Sequence, residues 1–208
     1  MASVTRRPST GIDRRAAVEE KIVEAAERLL RNGESFTELG VQRLAAEAGI
    51  ARSTFYLHFR DKSELLLRLV KSLVDPLFDL LVDVSHPSKG LDGMVQGMIL
   101  DVRYYRERRH LLAAVVEVAA YDPVIRAFWD GQLQRFIDRA EEWLRAEKAA
   151  GNAPADIDPA TAARVMVWGG FQALANQVLT GPPEQDEVVA REIAKLEWYG
   201  AFRRPADA

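Results

Sequence analysis

The chain has 208 residues, a net charge of −3, 48% hydrophobic and 28% charged residues, and no cysteine. A chain of this length buries enough surface to fold without staples, and its composition is globular rather than disordered. The missing cysteines exclude disulfides, thiolate nucleophiles, Cys-ligated zinc and iron–sulfur clusters. No run reaches the ~20 apolar residues of a bilayer crossing. Met1–Arg15 has four arginines but no apolar run behind them, so no secretory signal is expected and the cytoplasm is the expected address.

The charge is uneven along the chain. Residues 1–70 hold 12 Lys+Arg against 10 Asp+Glu, a net of +2, whereas residues 71–208 hold 16 against 21, a net of −5. A polyanion responds to the local patch, because screening removes charges beyond about 10 Å. Residues 1–13 read as a flexible basic arm: Arg6, Arg7, Arg14 and Arg15 against Asp13 make the first fifteen residues +3. Such an arm is ordinarily a solvated tail and reaches for phosphates only with help from a folded neighbour.

From there the 3.6-residue apolar period dominates, and no sustained strand-like alternation occurs, so an all-α fold is expected. Ile22, Ala25, Ala26, Leu29 and Leu30 stripe a first helix over Arg14–Arg31, stopped by Asn32-Gly33. Short helices follow over Val41–Ala48 and Arg52–His58, then a fourth from Asp61 to about Asp83, where Pro76 is expected to kink or break it. Ser85–Gly90 is the clearest loop. The remainder reads as helices over Leu91–Glu107, Arg109–Ala119, Pro123–Ala150, Pro159–Leu179 and Glu184–Tyr199, nine in all.

Residues 37–67, TELGVQRLAAEAGIARSTFYLHFRDKSELLL, carry the most information. Val41, Leu44, Ala45 and Ala48 form one face of a short helix, and Gly49 permits a left-handed turn after it. Ile50 fills the corner, and the next helix buries Phe55 and Phe59. Arg52, Ser53, Thr54, Tyr56 and His58 are left to point outward. Two short helices about a glycine turn make a helix-turn-helix, whose second helix fits a major groove. Thr suits a phosphate or base edge, Tyr a phosphate, Arg a phosphate or guanine. Lys62 follows at the start of the fourth helix, where free backbone N–H groups favour an anion. Leu57 is an exposed apolar residue in this phase, placed for a thymine methyl or for the fourth helix. Read alone, a glycine turn between short helices is also a common αα-corner.

The stretch resembles the DNA-binding domain of the TetR family of transcriptional regulators. The matching residues are Leu44-Ala45, Ala48-Gly49-Ile50, Thr54-Phe55-Tyr56, His58-Phe59, Lys62 and Glu64-Leu65. The resemblance implies that residues 14–60 are the DNA-binding domain and 61–208 a ligand-binding and dimerisation domain. It places Thr54, Tyr56, His58 and Lys62 where members touch phosphates or bases, and Gln42, Arg52 and Ser53 where members vary to read different operators. Two departures stand out: Ala51 and Gly40 replace the Ser or Thr that often caps the two short helices.

In the second half, Trp129, Trp143 and Trp168 lie near Phe128, Phe136 and Phe171. For any one of them a core position is the simplest reading. Together with adaptable methionines they also suit a bundle interior that holds an elongated apolar ligand. The expected lining is Met98, Asp101, Tyr105, Trp129, Leu133, Phe136, Trp168, Phe171, Gln172 and Asn176, with Asp101, Gln172 and Asn176 supplying the polar contacts. The spacing of Trp129, Phe136 and Trp198 is similar to the ethionamide-monooxygenase repressor subgroup of the same family, which favours a narrow aromatic pocket.

One recognition helix reads only a few base pairs, whereas a two-fold pair addresses successive major grooves about 34–36 Å apart. The resemblance places that dimer on the last two helices, where Gly169, Gly170, Ala173 and Ala175 permit close contact. Enzyme signatures are missing. His58, His86 and His110 lie in separate segments, and there is no HExxH, GxSxG or Walker loop. Adjacent Glu141-Glu142 read as a solvated face. The expectation is a homodimeric DNA-binding regulator, a repressor released from a palindromic double-stranded DNA operator by a small apolar effector, with no cofactor, metal or membrane. The alternatives are a helical carrier or enzyme with a degenerate DNA motif, and a dimeric adaptor that reads no DNA.

Overall fold

The computed structural model describes residues 11–203, so residues 1–10 of the expected arm lie outside it. Among the described residues there are nine α-helices and no strand: α1 (Gly11–Arg31), α2 (Val41–Ala48), α3 (Arg52–His58), α4 (Lys62–Val84), α5 (Gly90–Glu107), α6 (Arg109–Ala119), α7 (Pro123–Ala149), α8 (Pro159–Thr180) and α9 (Asp186–Glu197). The all-α expectation holds, with small shifts at the ends. The expected ninth helix divides into a 3₁₀ turn at Pro183–Gln185, α9 itself and a π-helical turn at Trp198–Phe202.

Helix starts follow from capping. Asp61, Asp122 and Asp158 stand at the N-caps of α4, α7 and α8, each accepting from backbone N–H groups of the first turn. Pro123 and Pro159 follow as first helical residues, where the missing N–H costs nothing. Helix α4 is not broken at Pro76. Leu73, Val74, Leu77 and Leu81 bury the face on both sides of the proline, and that packing outweighs one lost backbone bond.

The core falls into two clusters. One is continuous from the α1–α3 head through α4 into the bundle, from Ile22, Leu29, Leu44, Phe55 and Phe59 to Leu69, Leu73, Leu112, Val115 and Leu174. The other gathers Met94, Val95, Ile137, Leu144, Ile157, Trp198 and Phe202 at the far end. Polar ties reinforce the junction of head and bundle. Ser35 Oγ donates to Glu117 Oε1 at 2.7 Å, Ser63 Oγ to Asp122 Oδ2 at 2.6 Å, and Thr37 and Tyr121 share a hydroxyl bond of 2.7 Å.

At the other end of α5, Arg106 donates to both carboxylate oxygens of Asp186 and to the carbonyls of Gln177, Val178 and Gly181. This binds the end of α8 and the start of α9 to α5. Burial alone would raise the Asp186 pKa, but hydrogen bonds from Arg106 and Gln177 outweigh it and leave the carboxyl below its usual value. No helix among the described residues is long and apolar enough to cross a membrane.

Candidate nucleic-acid interface and ligand cavity

Helices α2 and α3 meet at Gly49, whose φ of +68° and ψ of 34° are the left-handed values the expected turn requires. Phe55 is fully buried and Phe59 nearly so, with ring centroids 5.7 Å apart, and this pair sets the rotation of α3 about its axis. In that rotation Arg52, Ser53, Tyr56 and Leu57 face solvent, Thr54 is half-buried, and Gln42 is exposed on α2. Among the described residues the side chains of Gln42, Arg52, Ser53 and Tyr56 make no hydrogen bond, so their polar groups are open to a ligand. Arg52 lies 5.9 Å from the centroid of the Tyr56 ring, a loose cation–π contact. Leu57 is 73% exposed, so it does not pack on α4.

Two expected contact residues are engaged elsewhere. The His58 side chain is only 10% exposed and turns back toward α1, with Nδ1 3.4 Å from Glu19 Oε1. As the last residue of α3 it stands one turn beyond Phe55 toward the core side rather than on the outer row. Lys62 folds over the loop between α1 and α2, where Nζ donates to the carbonyls of Phe36 at 3.1 Å and Thr37 at 2.9 Å and lies over the Phe36 ring. Burial lowers its pKa. The N-terminus of α4 is also not a vacant anion site. The Asp61 carboxylate accepts from Glu64 N at 2.9 Å, and Glu64 accepts from Arg60 N at 2.7 Å, so the chain's own carboxylates hold the position. Neither Gly40 nor Ala51 supplies a side-chain cap, as the sequence implied.

The second site is a cavity of about 130 Å³ at the seam between the two core clusters. Helices α4, α5, α7 and α8 form its walls, and Glu197 and Phe202 close it from the chain's end. Six of the ten expected residues line it: Met98, Asp101, Tyr105, Leu133, Phe136 and Phe171. Trp129 is buried one layer behind, its ring 5.3 Å from that of Phe171. Trp168, Gln172 and Asn176 lie on the outer face of α8. Their mutual spacing of four keeps them on one face, but the inward stripe is Val167, Phe171, Leu174 and Val178, so all three are rotated out by one helical position.

Trp143, Met94 and Gly170, ingredients of the expected apolar interior, also line the cavity, and Glu197, Met166 and Gly97 join them without having been expected there. The signal was present for Glu197. It falls in the stripe Ala190, Ala194, Glu197, Ala201, whose other members are buried, just as Asp101 falls in Met94, Met98, Asp101, Tyr105. Gly170 leaves room for that carboxyl, since a Cβ there would fall on Glu197 Oε1.

The two carboxyls are the cavity's unusual chemistry. Asp101 Oδ1 is shut off from solvent and has no hydrogen-bond partner. Desolvation pushes the Asp101 pKa up to about 7, and desolvation together with the nearby Asp101 charge pushes Glu197 up to about 8. Burial, then Asp101, likewise raises the Tyr105 phenol. Elsewhere, no group of His, Cys, Asp and Glu among the described residues is arranged to hold a metal ion. His86 instead caps a short turn through Ser88 N.

On its outer side the bundle carries an open groove of about 660 Å³ along α8 and α9, lined by Val165, Gly169, Gly170, Ala173, Leu196 and Gly200 among others. Val165 and Leu196 are 66% and 73% exposed. Ala175, expected with the small residues of this face, is instead buried inside the bundle.

Comparison with known proteins agrees with this geometry at both ends of the chain. Residues 22–69 match the family described as bacterial regulatory proteins, tetR family. Residues 96–193 match the C-terminal domain of transcriptional regulator EthR. The HTH-type transcriptional regulator EthR of Mycolicibacterium smegmatis (strain ATCC 700084 / mc(2)155) is 34% identical over 166 residues, covering 77% of this chain and 73% of that protein. Among solved structures, a TetR transcription regulator from Haloarcula marismortui ATCC 43049 superposes with a TM-score of 0.70 at 19% identity, covering 90% of this chain and 99% of that one. SmeT, the repressor of the Stenotrophomonas maltophilia multidrug efflux pump SmeDEF, gives 0.70 at 20% identity, with 89% and 91% covered. A glycine-turned helix pair held by Phe55 and Phe59, a helical bundle behind it, and a relative of this identity over most of both chains place the protein in the TetR family of bacterial transcriptional regulators, not among enzymes.

Proposed function

We propose that the protein is a cytoplasmic homodimeric repressor, bound to a two-fold symmetric DNA operator and released from it by a small effector in the bundle. The observation that carries the reading is the outward row of Arg52, Ser53 and Tyr56, polar groups left open on a helix that buried Phe55 and Phe59 hold in place, with Gln42 open beside them on α2. In this reading residues 14–60 are the reading head and 61–208 the ligand-binding and dimerisation part. Arg52 and Gln42 read base edges, Tyr56, Ser53 and Thr54 hold phosphates, and Lys62 and His58 position the head through the loop and α1. The groove along α8 and α9, with Val165, Trp168 and Leu196 exposed beside Gly169 and Gly170, is where the second copy packs.

Release is a population shift. An effector that fits the cavity better when the two heads are misaligned disfavours the DNA-bound arrangement by its differential affinity, and DNA disfavours the effector equally. Helix α4 is the natural lever, because it contributes Leu65 and Leu66 to the head's core and Leu81 to the cavity wall. The polar ties at Ser35 and Thr37 join the head to the end of α6 and the turn after it, and Ser63 ties the start of α4 to the N-cap of α7.

The test is a gel-shift titration on DNA flanking the gene, with scrambled competitor and two salt concentrations, for the native protein and for Tyr56→Ala and Arg52→Ala. A competitor-resistant shift that both variants weaken by about tenfold or more, with unchanged melting, is expected. Full affinity in both variants would remove α3 from the interface. A two-fold symmetric footprint is expected of the dimer.

A further inference from the structure

Resting on the reading of this cavity as the effector site, we infer that the effector is a hydrophobic amine, its ammonium group seated between Asp101 and Glu197 and its apolar body among the methionines and aromatics. The walls are apolar apart from a few groups. Asp101 and Tyr105 come from α5, Glu197 from α9 and Arg139 from α7, and these are the titratable side chains that line it. Arg139 is spent on Glu142, to which it donates at 2.9 Å at the exposed rim. Asp101 Oδ1 is buried without a partner, and no hydrogen bond or ion pair among the described residues answers Glu197, which is half-buried between this cavity and the outer groove along α8 and α9.

Two unanswered carboxyls in one apolar cavity are a costly arrangement unless something completes it. An ammonium completes both at once, because its three donors reach two carboxylates and its charge removes their mutual repulsion. A carboxylate ligand would add a third negative group, and an alcohol would leave the charge unanswered. Gly170 is part of the device, since a Cβ there would meet Glu197 Oε1 and displace the carboxyl from the cavity wall.

The apolar part is sized by the rest of the wall. A cavity of 130 Å³ is about what one aromatic ring fills. Met94, Met98 and Met166 give it room to lengthen, because unbranched thioether chains repack at little cost. An aryl-alkyl amine therefore fits better than a rigid polycyclic one.

The experiment uses three probes that differ only in the head group: 4-phenylbutylamine, 4-phenylbutanol and 4-phenylbutyrate. Their binding to the full-length protein is measured by calorimetry and thermal shift at pH 8.5 and pH 6. At pH 8.5 the amine is expected to bind about 10- to 100-fold more tightly than the alcohol, with the carboxylate weakest. Binding of the amine should weaken by well over tenfold at pH 6, because carboxyls that keep their protons to about pH 7 and about pH 8 must both give them up to receive the cation. Asp101→Asn and Glu197→Gln should erase the preference for the amine while leaving alcohol binding in place. Should either variant fail to fold, the probe series on the native protein still decides.

Alcohol binding as tight as amine binding would overturn the amine assignment while leaving the cavity as the effector site. Binding of none of the three would overturn both, and the gel shift would then stand or fall by itself.

Discussion

Around the head of α1–α3, charged groups are answered by neighbours: Lys62, at the start of α4, by the carbonyls of Phe36 and Thr37, and Arg43, on the exposed side of α2, by Glu34 and Glu47. In the bundle, Asp101 and Glu197 face an apolar cavity with no such answer. The head leaves its open polar groups on the outside, where water satisfies them until DNA does. The bundle keeps Asp101 Oδ1 inside, where water does not reach it, while Glu197 borders both the cavity and the outer groove. A surface reader thus loses little stability when unbound, whereas a buried reader carries a standing cost that its ligand relieves.

The sharpest way to break this contrast is at Phe55, the fully buried ring that holds α3. Phe55→Ala should cost about 3–5 kcal/mol, read by chemical denaturation, and should abolish DNA binding. A loss below about 1 kcal/mol would mean that α3 is positioned by something else.

Next in size is the cost of the buried carboxyls. Unfolded carboxyls titrate near pH 4, whereas folded Asp101 and Glu197 titrate at about 7 and about 8. The folded state therefore holds extra protons between these limits, and stability falls as pH rises from about 4 through 8. The depressed carboxyls Asp61, Asp122, Asp158 and Asp186 act in the opposite sense and at lower pH, so they do not mask this slope. The double variant Asp101→Asn with Glu197→Gln should gain on the order of 2–4 kcal/mol over the native chain at pH 8.5 and little at pH 5. Parallel pH profiles for the two proteins would show that the pair carries no such cost.

The smallest effect belongs to Gly49. Nothing lies within 4 Å of a Cβ built there, so Gly49→Ala meets only the backbone penalty of φ +68°. A loss of about 1 kcal/mol, or a melting shift of about 2–4 °C, is expected. A larger loss would place the turn under more strain than its dihedral angles imply.

How much of this was legible in the sequence differs between the same two regions. The head was readable because its motif is local: Gly49, Phe55 and Phe59 set turn and phase within eleven residues, and α2 and α3 keep their expected limits. The partners of His58 and Lys62 within the chain, Glu19 and the Phe36 carbonyl, were not legible because a side chain's partner across the fold has no local signature. In the bundle, the helices were readable but the phase of α8 was not. That helix is apolar on nearly every side, so Trp168, Gln172 and Asn176 and the stripe one position earlier looked alike. The stripe Ala190, Ala194, Glu197, Ala201 marks Glu197 as inward, but its place in the cavity follows only from the packing of α9 on α5, a contact between segments far apart in the chain.

Helices α2 and α3 are 8 and 7 residues long and begin at Gly40 and Ala51 with no side-chain cap. Both are shorter than the ~12–15 residues at which an isolated helix becomes marginally stable in water. Their amides are therefore protected from solvent only while the Phe55 and Phe59 contacts persist. In hydrogen exchange they should open together as one cooperative unit, at a free energy below that of α7 and α8, so that the part that meets the operator is also the first part of the fold to let go.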